Sequence, residues 1–337
     1  MTKDGATQAQ PADRAEIVDA IATPEAALQR AVAVLAEGLP VAIPTETVYG
    51  LAADATRAEA IARIYEVKGR PRFNPLISHV SDMEMAAEHG VFDPLSRALA
   101  EAFWPGPLTL ILPRSAGSTV HDLATAGLPS LGLRMPDGVA RQVIAAFGRP
   151  LAAPSANRSG GVSPTRAAHV AADLGERIAL ILDGGPSMVG LESTIVKVEG
   201  DRLRLLRPGG LDAAQIEAVA GRPLLRSSTA GATIEAPGML ASHYAPDAAL
   251  RLDARDVAAG EALIRFGGAA LPGEDTARLV LDLSPSGDLR EAAANLFAFL
   301  KQADASGAPR IAIGPVPSTG LGEAIRDRLE RAAAPRS

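Results

Sequence analysis

The sequence predicts an α/β fold built in two parts. Short apolar runs alternate with longer amphipathic stretches along most of the 337-residue chain, which is typical of strands and helices that pack in layers. A segment rich in Ser, Thr, Ala, Gly and Pro, residues 222–247, interrupts this alternation. The alternation then resumes over about ninety residues, which is enough for a second, smaller α/β domain.

The composition excludes several classes of protein. Apolar residues make up 47% of the chain and charged residues 21%, as in globular proteins. The chain has no Cys, which excludes disulfides and thiolate chemistry, and its five His residues show no metal-ligand spacing. No apolar stretch could span a bilayer, and the polar N-terminus lacks the apolar core of a signal peptide. We expect a cytoplasmic protein with no membrane partner and no metal site of its own, and a disordered tail at residues 1–15.

Local signals place the first elements of the larger domain. Thr23-Pro24-Glu25 begins a helix, because it supplies an N-cap hydroxyl, a proline at the first helical position and an early acid, and the helix ends at Gly38. Val41 to Ile43 is a buried strand that Pro44 stops, since proline has no N–H for a strand ladder. The stretch from Pro44 to Ala55 follows as a loop, in which Gly50 allows a turn or a close approach to a ligand. A second amphipathic helix covers about residues 58–67.

The remaining elements continue the alternation. Ser81 is expected to cap a short acidic helix, and residues 114–129 are expected to form a loop. Glu199-Gly200-Asp201 is a hairpin turn between two strands. Further strands are predicted at 76–80, 108–112, 130–134, 151–153 and 179–182, and further helices at 94–103, 165–174, 212–219 and 288–303, with a last helix from about Gly322.

Polar side chains follow several predicted strands, where ligands bind in open α/β sheets. Singly, each has an ordinary structural explanation: Lys68 complements a helix C-terminus, His79 is a satisfied core residue, and Ser155-Ala156-Asn157 is a turn. Together they predict a cationic cleft for phosphates or carboxylates, because Arg binds planar anions through two parallel hydrogen bonds and Lys acts as a point charge. No Walker loop and no G-x-G-x-x-G is present, so a nucleotide would be held by another device.

Seven motifs in unbroken order over residues 24–220 resemble the YrdC-like family. They are P-T-E-T-V-Y-G-L-A-A-D-A, K-G-R-P-R-F-N-P-L-I-S-H, F-W-P-G-P-L-T-L-I-L, L-R-M-P, A-A-P-S-A-N-R-S-G, D-G-G-P-S-M-V-G-L-E-S-T-I-V and L-L-R-P-G-G. The later P-G-M-x-x-x-H-Y-A-P segment is similar to that of the long, two-domain members. The resemblance implies a twisted mixed sheet with helices around a concave cleft at residues 16–221. It also implies a linker folding over the active site at 222–247 and a Rossmann-like domain at 248–337.

The resemblance further implies an enzyme. The family activity is a nucleotidyl transfer in which L-threonine, bicarbonate and ATP, with Mg²⁺, give L-threonylcarbamoyl-AMP and pyrophosphate. The product would pass to a separate transferase complex that modifies tRNAs reading ANN codons, and direct tRNA binding is left open. The physical step is attack of a carbamate oxygen on the α-phosphorus, for which the sequence names no general base.

The resemblance also assigns ligands residue by residue. The residues expected to bind L-threonine are Thr47, His79, Arg134, Ala153 and Ser193, with Arg134 on the substrate carboxylate. Those expected to bind ATP are Lys68, Arg70, Asn74, Ser130, Ser155, Asn157, Ser163, Arg207 and Tyr244, with His243 beside them. Lys68 and Arg70 are the expected catalytic residues, because they would neutralise charge on the leaving pyrophosphate. Leu240-Ala241-Ser242 departs from the basic and Tyr residues common in the family, which leaves linker contacts by those side chains in doubt.

Two other functions are compatible with these motifs. One is an RNA-binding or regulatory module of the same fold, which a net charge of −6 and an aromatic content of 3% disfavour. The other is a sister enzyme that makes carbamoyl adenylate for a different acceptor. The complete set of matches to the threonine residues disfavours that second alternative.

Overall fold

The computed structural model describes residues 14–71, 73–226, 235–238 and 243–335. Within these ranges an eleven-stranded mixed sheet forms the larger domain and a four-stranded parallel sheet forms the smaller one. The α/β fold with a second α/β domain is therefore confirmed. Positions 1–13 of the expected tail and the departure at 240–242 lie outside the described residues.

The larger domain contains strands β1 to β11 and helices α1 to α8. The strands are β1 Glu16–Asp19, β2 Val41–Ile43, β3 Gly50–Asp54, β4 Ile77–His79, β5 Leu108–Pro113, β6 Ser130–Arg134, β7 Leu151–Ala152, β8 Leu180–Asp183, β9 Thr194–Glu199, β10 Arg202–Arg207 and β11 Leu224–Arg226. The helices are α1 Pro24–Ala36, α2 Ala58–Lys68, α3 Met83–His89, α4 Pro94–Phe103, α5 Asp122–Thr125, α6 Val139–Phe147, α7 Ala167–Leu174 and α8 Ala213–Ala220.

The smaller domain contains the other four strands and two long helices. They are β12 Ala249–Arg251, β13 Ala262–Arg265, β14 Leu279–Asp282, β15 Arg310–Ile313, α9 Leu289–Ala305 and α10 Leu321–Ala333, with a 3₁₀ helix at Glu274–Thr276. Its strand order is β12-β15-β13-β14.

The order of strands in the large sheet brings the predicted site together. It runs β1-β8-β2-β3-β7-β4-β6-β5-β9-β10-β11, so that β7, β4 and β6 lie near its centre. Strands β4 and β6 are parallel, and their last residues, His79 and Arg134, are in register. Two predicted ligands that are distant in sequence therefore leave the sheet side by side.

The stretch Pro44 to Ala55 is a loop only in its first half, which corrects our expectation. Residues 50–54 form β3, which pairs antiparallel with β2 and is fully buried. Four of its five residues are Gly, Ala or Asp, which are depleted in strands, so the sequence does not indicate a strand here. Gly50 makes no turn; it lies beside β7, where an added Cβ would come within 3.3 Å of the Ala153 Cβ.

Other local expectations also need correction. The cap of α3 is Asp82, whose carboxylate accepts the Met85 N–H at 2.8 Å, while the Ser81 hydroxyl donates to Asp82. Thr23 precedes α1 as expected, but its hydroxyl donates to the Asp19 carbonyl instead of capping the helix. Strand β1, helix α5 and strand β11 were not predicted. Helix α5 is a single turn inside the expected loop 114–129, and β11 lies inside the expected linker.

The two domains share one apolar cluster. Val48, Val162 and Leu191 of the larger domain pack in it with Tyr244 and with Phe297 of α9. The approach is close: a Cβ on Gly190 would lie 2.4 Å from the backbone of Ala293 and Ala294. The smaller domain is therefore packed directly on the loops that border the central strands.

Candidate active site

A cleft lies at the C-terminal ends of β4 and β6 and beneath the described part of the linker. Its free volume is about 50 Å³, and Pro237, Gly238, His243 and Tyr244 form part of its wall. All of the residues predicted to bind threonine line it. The predicted residues in the wall are Thr47, Arg70, His79, Arg134, Ala153, Ser155, Ser193, Arg207 and Tyr244.

The side of the cleft predicted to bind threonine consists of buried hydroxyls and one neutral imidazole. The Thr45 and Thr47 hydroxyls lie 2.8 Å apart, and the Ser193 hydroxyl lies 2.7 Å from that of Thr109. Burial, and next the charge of Arg134, lowers the pKa of His79 to about 3, so the ring is neutral near pH 7. Its Nδ1 has no hydrogen-bond partner. An unpaired buried nitrogen in a cleft wall is available to a ligand.

Arg134 is paired with an acid that sequence reasoning missed. Its Nη2 donates to Glu46 Oε1 at 2.6 Å, and its Nε donates to the Gly106 carbonyl at 3.2 Å. The other Glu46 oxygen accepts the backbone N–H of Asp137. Glu46 lies within the P-T-E-T motif, directly beside Thr47, which was the available signal. A carboxylate ligand of Arg134 must therefore share the guanidinium with Glu46 or displace it.

Two buried guanidinium groups form the cationic side of the cleft. Arg70 donates from Nη2 to the Pro75 carbonyl at 3.0 Å, and burial lowers its pKa to about 10, which leaves it charged. Arg207 donates to the Ser193 carbonyl at 2.9 Å and to the linker carbonyl of Pro237 at 3.3 Å. Backbone carbonyls orient both groups without neutralising them, so this side suits an anionic ligand.

Lys68 lies behind the cleft wall. Its Nζ donates to the carbonyls of Ser155 at 2.6 Å and Asn157 at 2.5 Å. Burial, and next the charge of Arg70, holds the pKa of Lys68 well below its usual range. The Ser155 hydroxyl donates in turn to Asn157 Oδ1 at 2.6 Å. In this structure Lys68 and Asn157 shape the loop that presents Ser155 to the cleft.

The structure brings three other predicted ATP residues to different places. Ser130 begins β6, whereas Arg134 ends it, which separates them by roughly 13 Å at 3.3 Å per residue. Ser163 donates its hydroxyl to Glu192 Oε1 at 2.5 Å. The Oδ1 atom of Asn74 is buried without a partner. None of the three lines the cleft; strand direction accounts for Ser130 and the bond to Glu192 for Ser163.

Glu192 is a second cleft residue to which the sequence assigned no role. Although burial raises its pKa, Arg328 and Arg207 outweigh that effect and lower the pKa to about 2. Its Oε2 accepts the Arg328 Nε–H at 2.8 Å. The partner lies more than a hundred residues away in the smaller domain, and no local pattern in the sequence could reveal the pair.

The buried neutral His79 should make the protein less stable as the pH falls. The unfolded chain binds a proton near pH 6.5 and the folded chain only near pH 3, so the unfolded state gains protons first and the free energy of unfolding decreases. His79 alone should account for a loss of about 1–2 kcal/mol between pH 6.5 and 5.

Urea unfolding at those two pH values measures this loss. His79→Gln should remove that part of the pH dependence, and His243→Gln should act similarly, because burial lowers the pKa of His243 to about 3 as well. An unchanged dependence in both variants would show that the two rings titrate normally in the folded protein.

The described residues contain no group of three or more acidic or His side chains placed to hold a metal ion. Among the helices in this part of the chain, none has both the length and the apolar character needed to cross a bilayer.

Two family profiles together match most of the chain. One, described as "Telomere recombination" and grouping Sua5, YciO and YrdC proteins, matches residues 33–209. The other, described as "Threonylcarbamoyl-AMP synthase, C-terminal domain", matches residues 211–334.

Curated relatives and solved structures agree with these profiles. The chain is 39% identical to a threonylcarbamoyl-AMP synthase of Bacillus subtilis, covering 94% of this chain and 96% of the relative. A Pyrococcus abyssi threonylcarbamoyl-AMP synthase is also 39% identical, covering 88% of this chain and 91% of the relative. The crystal structure of P. abyssi Sua5 complexed with L-threonine superposes with a TM-score of 0.81 at 38% identity, covering 91% of this chain and 94% of the other. The chain therefore belongs to the Sua5/YciO/YrdC family, in the two-domain form that carries the C-terminal domain of threonylcarbamoyl-AMP synthases.

Proposed function

We infer that this protein makes L-threonylcarbamoyl-AMP from L-threonine, bicarbonate and ATP, with release of pyrophosphate. The observation that carries the inference is the likeness, over nearly the whole chain, to a synthase solved with L-threonine. The cleft agrees with it, because hydroxyls and a paired Arg134 form one side and two cationic guanidinium groups form the other. A nucleotidyltransferase is thus favoured over an RNA-binding module.

The site residues divide between the two substrates in our proposal. The threonine carboxylate contacts Arg134, with His79, Thr47 and Ser193 around the rest of the amino acid. A carbamate formed on its amine is already anionic, so an oxygen of it attacks the α-phosphorus without a general base. Arg70 and Arg207 stabilise the phosphate charge that grows as pyrophosphate leaves. The small, covered cleft limits the access of water to the unstable carbamate.

Lys68 and Mg²⁺ enter this scheme differently from Arg70. We propose that Lys68 acts through the loop that it holds, since its Nζ is already bonded to two carbonyls. The described residues offer no acidic cluster for a resident metal, so Mg²⁺ fits as part of the MgATP substrate. Transfer of the product to a separate tRNA threonylcarbamoyl transferase complex, and a cytoplasmic location, stay predictions. The same holds for the domain limits 16–221, 222–247 and 248–337.

One assay tests the function. The protein is incubated with ATP, Mg²⁺ and bicarbonate, and pyrophosphate is followed with and without L-threonine. We expect pyrophosphate release that depends on both threonine and bicarbonate. Release that needs bicarbonate but not threonine would favour the carbamoyl-adenylate alternative, and the absence of any release would contradict a synthase.

The linker contact at Gly238 should matter for turnover. Gly238 has φ +85°, and an added Cβ would lie 2.8 Å from Arg207 Cδ and 3.2 Å from the Tyr244 hydroxyl. Gly238→Ala should therefore push the linker away from Arg207 and lower kcat/KM for ATP by about tenfold, as expected when positioning is lost. Steady-state kinetics at saturating threonine measures this effect.

Gly200→Ala is the matched control for Gly238→Ala. Gly200 also has a positive φ, +58°, but lies in a hairpin turn with nothing within 4 Å of an added Cβ. Both variants pay the backbone cost of a left-handed Ala, about 1–2 kcal/mol. Equal kinetic effects in the two would show that backbone strain alone is responsible.

A further inference from the structure

Arg328 on helix α10 is a fully buried charge that the reaction scheme does not use. Its side chain has 0% relative exposure although it belongs to the smaller domain. Nε donates to Glu192 Oε2 at 2.8 Å, Nη2 to the Pro208 carbonyl at 2.9 Å, and Nη1 to Asp327 Oδ2 at 2.5 Å. One guanidinium therefore joins α10 to two separate loops of the larger domain.

The same guanidinium also faces the linker. Its Cζ lies 5.0 Å from the centre of the Tyr244 ring, which also contacts the ring of His243 at 4.1 Å and the stacked ring of Phe297 at 5.5 Å. Tyr244 has φ +64°, a backbone conformation that a bulky residue keeps only when its surroundings hold it there. The backbone N–H of His243 donates to the Arg331 carbonyl, one turn further along α10, so this helix contacts the linker at two places.

Of the residues that Arg328 contacts, Glu192 and Tyr244 belong to the cleft wall, whereas Arg328 itself does not line the cleft. The Glu192 carboxylate is a negative charge in a site proposed for the phosphates of ATP and the carboxylate of L-threonine. Without a counter-charge it would repel both groups. The fork of a guanidinium can bond Glu192 and Pro208 while its face covers an aromatic ring, and a lysine cannot do all three.

We propose that Arg328 is a positioning residue of the active site, through which the C-terminal domain holds Tyr244 in place and neutralises Glu192. This assigns a role to the C-terminal domain: its α10 helix supports Glu192 and Tyr244 of the cleft wall from behind. The proposal rests on the proposed function for its kinetic consequences, but its structural consequence at the linker is independent of it.

The informative variant is Arg328→Lys, which keeps the positive charge but loses the planar guanidinium and its several N–H donors. Arg326→Lys is the matched control, since Arg326 lies on the same helix and pairs with Asp253, away from the cleft. We expect Arg328→Lys to raise KM for ATP at least tenfold and to change KM for L-threonine less than threefold. The control should resemble the wild type in both constants.

Hydrogen exchange followed by mass spectrometry gives a readout that does not need activity. In Arg328→Lys the amides of residues 243–245 should exchange at least tenfold faster, while those of β13 keep the wild-type rate. Unchanged exchange at 243–245 would overturn the proposal even if the wild type made no product. Absence of threonine-dependent pyrophosphate from the wild type would instead overturn the proposed function.

A double variant covers the case in which a single change destabilises the whole chain. Arg328→Met leaves Glu192 as a buried unpaired anion, whereas Arg328→Met with Glu192→Gln removes both charges. The double variant should melt closer to the wild type than Arg328→Met does, yet still show the raised KM for ATP, because Tyr244 has lost its support. A wild-type KM for ATP in a folded double variant would overturn the positioning role.

Discussion

Replacing Arg134 by alanine is expected to weaken L-threonine binding by about 10- to 150-fold and ATP binding by less than about threefold. The loss of one charge-assisted hydrogen bond costs about 1.5–3 kcal/mol, and each 1.4 kcal/mol is a factor of ten in affinity. Arg134 lies beside His79 and Thr47 on the threonine side, while Arg70 and Arg207 supply the charge on the other side. Calorimetric titration with L-threonine, and separately with a non-hydrolysable ATP analogue, measures the two affinities.

The Arg134→Ala experiment needs a second variant, because this substitution also leaves the Glu46 carboxylate without its partner. An unpaired anion beside the site would repel the threonine carboxylate and exaggerate the loss. The combination with Glu46→Gln removes the repulsion, and we expect threonine binding to stay at least tenfold weaker in it. Arg141→Ala is the control, since Arg141 bonds only the Ser81 carbonyl among the described residues. Recovery of wild-type affinity in the double variant would mean that Arg134 serves only to neutralise Glu46.

The sequence predicted the location of a residue best where the sheet itself positions that residue. His79 and Arg134 each end an apolar strand, so their meeting at one edge follows from the parallel arrangement of β4 and β6. Ser193 instead directly precedes β9, and it reaches the same edge because β9 is parallel to β5 while β5 is antiparallel to β6. For such residues the strand direction fixes the location, and the sequence reveals both the strand and its end.

Side-chain direction was harder to predict than location. Lys68 ends a helix at the right place, but its ammonium group turns to two backbone carbonyls, whose positions depend on how a distant loop folds. Ser130 was carried over from a resemblance, and the direction of β6 places it at the far end of the strand from Arg134. Arg328 and Glu192 lie in different domains, so only the packing of one domain on the other brings them together.

Replacing Lys68 by methionine should lower both turnover and stability. The substitution leaves the buried carbonyls of Ser155 and Asn157 unpaired, at about 1–3 kcal/mol each, while it also removes the cost of burying an ammonium group. We expect the free energy of unfolding to fall by about 2–5 kcal/mol. Turnover should fall at least about 100-fold, because a displacement of about 1 Å in the loop that presents Ser155 is enough for that loss.

Urea unfolding and kcat, measured on the same preparations, separate two roles for this lysine. If Lys68 acts by holding the loop, stability and turnover fall together, and Lys68→Gln, which restores an N–H donor, recovers part of both. If Lys68 instead neutralises the leaving pyrophosphate directly, turnover falls while the unfolding free energy hardly changes, and Gln rescues nothing. Lys301→Met is the control for removal of a lysine, since its pair with Asp173 lies outside the cleft. The Ser155 and Asn157 carbonyls that Lys68 already bonds favour the first outcome.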